Sequence, residues 1–251
     1  MFSLQTLLSK IYGSSNIDFG DLFNESVSLF KKVWVQGLII QLLTGLIMLP
    51  MLIGFYIPYF KLIFNMSSNE VIESPDFVPE FISSYGISSL LWLYFFLMVV
   101  SLFSYVLYLG FFRVVRQIDQ GEAFVFSELF YFFKSTSIRK SLGLALTYVI
   151  ITMIAALLCF FPLLYVIIPL MFLLPVYAYN SELSITEIVK VSFALGNKKW
   201  GITFLTLFLN AMLIYVISLV TCGLGGIFAS CFIYLPQYII YKNVIGFDGS
   251  N

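Results

Sequence analysis

Most protein chemistry near neutral pH leans on imidazole, and this chain has none: none of its 251 residues is histidine. That absence removes the usual proton shuttle, the Ser-His nucleophile arrangement and every His-ligated metal site. Three cysteines remain, Cys159, Cys222 and Cys231, all in or beside apolar segments and without metal-ligand spacing. They read as small buried hydrophobes. A Cys159–Cys222 disulfide stays open, because both fall near one predicted face of a membrane. Four acids, Glu70, Glu73, Asp76 and Glu80, could attract a cation, but they read better as a solvated loop. No phosphate-binding glycine loop, nucleophile elbow or paired catalytic carboxylate stands out. The sequence therefore predicts no catalytic, cofactor-binding or metal-binding residue, no cofactor, and no enzyme activity.

What polar chemistry there is sits inside apolar runs. Gln36, Gln41, Thr44, Thr152, Asn210 and Gln237 interrupt otherwise apolar stretches. Gln41, Asn210 and Gln237 are the candidates for interhelical hydrogen bonds, each contributing about 0.6–2 kcal/mol inside a membrane. Six prolines, Pro50, Pro58, Pro162, Pro169, Pro175 and Pro236, interrupt or flank the same stretches. Broken helices free backbone carbonyls, which transporters use to hold substrate, although proline is also common in ordinary membrane helices.

The solvent that such residues imply follows from composition. The chain is 61% hydrophobic and 10% charged, with a mean hydropathy of +1.00. Soluble domains carry about 25% charged residues, and a fold of this size must show much of its surface to its solvent. Lipid is the solvent that fits. The net charge is zero, so no nucleic-acid partner is expected. Residues 1–33 hold no cleavable signal pattern, which leaves insertion to the first spanning segment.

A spanning helix needs about 20 apolar residues. On that basis residues 1–251 form one all-α integral membrane domain with spans at 35–60, 87–112, 142–161, 163–179, 201–220 and 223–242. The apolar run at 142–179 is too long for one helix, and Phe161-Pro162 is its natural break. Thr221-Cys222-Gly223-Leu224-Gly225-Gly226 suits a tight turn between the last two spans. Gly225 with Ala229, and Gly226 with Ser230, are small pairs that permit close helix approach. With the N-terminus inside, Lys10, Lys31, Lys32, Arg113, Arg116, Lys134, Arg139, Lys140, Lys190, Lys198, Lys199 and Lys242 are cytoplasmic. Only Lys61 falls outside, in a loop at 61–86 that also holds the four acids. That asymmetry predicts a multi-pass protein with both termini cytoplasmic.

Three gap-free stretches suggest an internal repeat: 21–34, 128–141 and 187–200. Each opens on an acid (Asp21, Glu128, Glu187) and reaches a basic pair about ten residues later (Lys31-Lys32, Arg139-Lys140, Lys198-Lys199). Acid-first, base-last order complements a helix dipole. Each stretch reads as an amphipathic interfacial helix ahead of a spanning hairpin, its apolar flank in the acyl boundary and its cations toward anionic headgroups. A fourth amphipathic stretch is expected at the start, where Phe2, Leu4, Leu7, Leu8 and Ile11 recur at helical spacing before Gly13-Ser14-Ser15-Asn16.

VSFALGNKKWGITF (191–204) and TCGLGGIFASCFIYLPQYIIYKNVIGF (221–247), with DFGDLFNESVSLFKKVWVQGL (18–38), resemble uncharacterised bacterial six-helix inner-membrane proteins. A more distant likeness is to the membrane domain fused to some glycerophosphodiester phosphodiesterases. The resemblance implies the bacterial cytoplasmic membrane and six helices, and it brings no catalytic residue. The expected role is membrane or lipid organisation, or assembly of a partner, with membrane lipids and other membrane proteins as partners. The competing expectation is a transporter or permease for a neutral or apolar solute or lipid.

Overall fold

A computed structural model describes residues 3–67, 87–158 and 160–247. It is all-α, with no strand among the described residues. The helices are α1 (Leu4–Gly13), α2 (Phe19–Ser67), α3 (Ile87–Asp119), α4 (Ser135–Leu158), α5 (Phe160–Met171), α6 (Leu173–Tyr179), α7 (Ile185–Lys198), α8 (Trp200–Val220), α9 (Leu224–Ala229) and α10 (Leu235–Val244). Two 3-10 segments, Phe126–Phe133 and Ser230–Tyr234, complete the order among the described residues. Six stretches are long and apolar enough to cross a membrane: Phe19–Gly54, Leu91–Asp119, Ser137–Leu158, Pro162–Tyr179, Trp200–Val220 and Leu224–Val244. Their number, six among the described residues, is the number expected. The acidic loop residues Glu70, Glu73, Asp76 and Glu80, and Cys159, lie outside the described residues. Cys222 is an exposed free thiol and Cys231 a buried one.

Two compact units are present, Met1–Gln41 with Tyr105–Asn251, and Leu42–Ser104. The described residues of the smaller are the far part of α2 and the first half of α3, where Leu46, Ile53, Leu91, Trp92 and Phe95 are exposed.

In the larger unit the pattern of burial is that of a protein solvated by hydrocarbon. Along α8 the polar residues Thr203, Thr206 and Asn210 are wholly buried. Phe204, Leu205, Phe208, Leu209, Met212 and Leu213, on the same helix, are exposed. In water this arrangement would be inverted. In lipid an apolar exterior costs nothing, while each polar group must find its partner inside. Thr203 and Thr206 do so by donating to the carbonyls four residues back, Lys199 O and Ile202 O, both at 2.8 Å.

Close backbone approaches set the packing. A methyl group on Gly110 would lie 2.1 Å from the Leu129 carbonyl oxygen, so α3 and the first 3-10 segment meet backbone to backbone. One on Gly196 would lie 2.5 Å from Pro169 Cα, which fixes α7 on α5. One on Gly37 would meet Cys231 Sγ at 2.2 Å. The expected turn after α8 is present, with Cys222 (φ 51°) and Gly223 (φ 92°) both left-handed. Beyond it Gly225 and Gly226 sit against Ile217 and Ser218 of α8, as their small size predicts. The expected break at Phe161-Pro162 lies beside Cys159, which is outside the described residues. A break at Phe172, between α5 and α6, follows Pro169.

The three stretches that open on an acid join their spans differently. The first is the start of the continuous helix α2. The second is the 3-10 segment, which ends on an extended Lys134 before α4. The third is α7, separated from α8 by a kink at Lys199. Part of each apolar flank packs inside the larger unit. Leu22 and Leu29, Leu129 and Phe132, and Ile188, Val191 and Leu195 are all buried in protein. Phe23 and Phe30 pack edge-on against Phe232, at 6.1 and 5.4 Å between centroids. Amphipathic spacing records which flank is apolar and not what covers it, and here the core of the larger unit covers part of it.

α1 forms as its spacing predicts. Ser3 caps it by accepting the Thr6 N–H at 3.2 Å, and Leu7 and Ile11 are wholly buried. α7 begins with a capping box. Glu187 Oε2 accepts the Ser184 hydroxyl at 2.7 Å and the Ser184 N–H at 2.8 Å, while Ser184 Oγ accepts the Glu187 N–H. The Ser184 hydroxyl, then its backbone N–H, holds the Glu187 carboxyl below the usual glutamate range. A lowered folded pKa means the cap is complete above the ordinary glutamate value and is lost as pH falls through the lowered one. Ser184→Ala is expected to cost about 1 kcal/mol. It should also flatten the acid limb of a thermal-stability profile measured in detergent.

Candidate functional site

The three polar residues singled out within the spans have different fates. Gln41 Oε1 on α2 accepts the Ser230 hydroxyl at 3.3 Å, a link between helices. Gln237 on α10 donates through Nε2 to Ile233 O at 3.1 Å and meets Met171 Sδ at 3.8 Å, while Oε1 has no partner among the described residues. Asn210 is wholly buried, and neither amide atom has a partner among the described residues. A buried polar group left in that state costs about 1–3 kcal/mol. No hydrogen bond among the described residues joins the three to one another. Thr152 donates to its own helix at Tyr148 O.

A denser constellation lies where α3, α6 and α10 end. Asp119 Oδ2 accepts Lys242 Nζ at 2.7 Å and the Tyr238 hydroxyl at 2.8 Å. Lys242 also reaches Glu25 Oε1 at 3.3 Å, so one cation ties α2, α3 and α10 together. Arg113 donates from Nε to Glu128 Oε2 at 2.9 Å, and its guanidinium lies 3.8 Å above the Tyr131 ring. Arg116 stacks over Phe247 at 4.5 Å and Tyr179 at 6.0 Å. Tyr179, Tyr238, Tyr241 and Phe247 form a connected ring cluster with centroid separations of 5.0–6.1 Å.

Lysines at the same end serve the backbone. Lys10 donates to Ile245 O at 2.7 Å, which joins the first helix to the end of the last. Lys140 donates to Ser181 O and Lys199 to Ser15 O. Burial, with Lys198 beside it, lowers the Lys199 pKa. The basic pairs of the second and third stretches thus split, with Arg139 and Lys198 exposed and Lys140 and Lys199 turned inward. Lys31 and Lys32 both remain exposed.

Two clefts open at this end. One, of about 620 Å³, is bounded by Lys10, the 13–18 turn, Asp21 and residues 242–246. The other, of about 260 Å³, lies between Arg113, Arg116, Gln117, Gln120 and Glu122 on one side and Ala178, Tyr179 and Ser181 on the other. Among the described residues, no three His, Cys, Asp or Glu side chains gather as a metal site would need. Sequence reading missed this constellation because Glu25, Asp119 and Lys242 are far apart in the chain. Arg113 and Arg116, one turn apart at the end of an apolar run, were the available signal. No protein-family model, no curated protein and no solved structure matches the chain significantly.

Proposed function

We propose that this chain is a non-enzymatic protein of the bacterial cytoplasmic membrane that binds and organises phospholipid at the inner leaflet. In this reading both termini are cytoplasmic and the charged, aromatic end of the larger unit faces the cytoplasm. The proposal keeps the kinship with bacterial six-helix inner-membrane proteins, and more distantly with phosphodiesterase membrane domains. The observation that carries it is the pair of arginines held on aromatic rings at the end of a spanning helix. Arginine in this position serves phosphate, and aromatic side chains favour the same layer. The protein should retain phospholipid when taken from a bilayer into mild detergent and weighed by native mass spectrometry. A lipid-free protein would sink the reading.

A second reading, a transporter for a neutral solute, is favoured by Asn210. It is wholly buried in the middle of α8 and unpartnered among the described residues, and the sixth span is interrupted by the 3-10 segment Ser230–Tyr234. Solute entry into that region would supply the missing partner. If Asn210 serves no solute, Asn210→Leu should raise thermal stability by about 1–3 kcal/mol, because it removes an unsatisfied buried group. Flux of a neutral solute into proteoliposomes that this variant abolishes would instead favour transport.

A further inference from the structure

We propose that the 260 Å³ cleft between the ends of α3 and α6 is a headgroup site for an amine-bearing phospholipid. Arg116 and Arg113 take the phosphate, and Glu122 takes the ammonium. The inference rests on the lipid-binding reading above and names its ligand.

Arg113 and Arg116 lie one turn apart on α3, on the same face. Arg116 is stacked on Phe247 and Tyr179, and no carboxylate pairs with it among the described residues. Stacking fixes the plane of a guanidinium and leaves its in-plane N–H groups available to an acceptor. Arg113 uses only Nε for Glu128, so its terminal amino groups also lack an acceptor among the described residues. Phosphate is the acceptor this pair suits best, through parallel charge-assisted hydrogen bonds.

Depth points to a lipid as the source. One spanning stretch ends at Asp119 and another at Tyr179, and the cleft lies between those ends. That is the layer in which hydrocarbon gives way to headgroups. The lining of the cleft also carries the opposite sign. Glu122 is exposed just past the left-handed Gly121 and borders the same cleft. A bare phosphate or a purely anionic headgroup would meet that carboxylate unfavourably. A headgroup that carries an amine two carbons from its phosphate offers a partner to both charges. The cleft holds a headgroup only, so the acyl chains must leave along the exposed apolar faces of the bundle.

The test uses the full chain in bilayers of equal phosphatidylethanolamine and phosphatidylglycerol, extracted and weighed by native mass spectrometry. The wild type should retain the amine-bearing lipid over the other by about fivefold. Arg116→Gln should lower retained lipid about tenfold, the loss expected for a charge-assisted pair. Glu122→Gln, a change at an exposed position that leaves the fold intact, should keep the lipid and lose the preference. Equal retention by wild type and Arg116→Gln would overturn the cleft proposal and leave lipid binding elsewhere standing. An undiminished preference in Glu122→Gln would overturn the amine assignment. Displacement of the lipid by millimolar inorganic phosphate would identify free phosphate as the occupant, against the proposal. A wild type that retains nothing would overturn both this inference and the reading beneath it.

Discussion

Gly110→Ala is expected to be the most damaging single methyl group that can be added to this protein. In the middle of a helix such a change ordinarily stabilises by up to about 1 kcal/mol, because alanine is the better helix former. Here the new carbon would sit 2.1 Å from Leu129 O and 2.6 Å from its carbonyl carbon. Both are backbone atoms, so no side-chain rotation relieves the clash, and α3 must part from the 3-10 segment. Overpacking of this kind costs about 1–3 kcal/mol, and the backbone contact puts Gly110→Ala at the upper end. The Arg113–Glu128 pair bridges the same two elements and should loosen with them. Gly45→Ala is the control, since nothing lies within 4 Å of the added carbon. It should be neutral or stabilising in the same thermal melt. Equal melting of the two variants would mean that α3 and the 3-10 segment do not approach as described.

The second large effect is expected at Lys242. Its ammonium group serves two carboxylates, Asp119 and Glu25, from two other helices. Lys242→Met would leave those two acids facing each other without a cation, one of them with a side chain only 18% exposed. Breaking a fully buried pair costs about 3–5 kcal/mol. The lysine side chain is 34% exposed, so water takes up part of the loss and about 2 kcal/mol is expected. Asp119→Asn in the same chain should recover part of it, because the repulsion goes with the charge. A double-mutant cycle reads that coupling directly. Strict additivity of the two changes would show that Asp119 and Lys242 do not interact.

The spans were legible in the sequence because hydrocarbon imposes one dominant rule, about 20 apolar residues per crossing. The turn at Cys222-Gly223 and the helix at Leu4–Gly13 were legible for local reasons: small residues at one, helical spacing at the other. Less visible was the role of the segments before the spans. Leu22, Leu129 and Ile188 show where an apolar flank lies, yet lipid and protein both accept it, and only tertiary packing decides between them. The site was legible in part. Gln41, Asn210 and Gln237 stand out as polar residues in apolar runs, but only Gln41 forms a clear hydrogen bond to another element. The Glu25–Lys242–Asp119 contact and the Arg116 stack on Phe247 join residues more than a hundred positions apart, and spacing along a chain carries no information about such pairs.

The spanning arrangement itself has a direct test in the native thiol of Cys222, which is exposed in the turn that ends α8. With Cys159 and Cys231 replaced by alanine, a membrane-impermeant maleimide added to intact cells should label Cys222. A cysteine placed at Lys198, the last residue of α7 just before the basic end of α8 and likewise exposed, should react only after the membrane is opened. Labelling of both positions in intact cells, or of both only after opening, would contradict a helix that crosses the bilayer with its basic end inside.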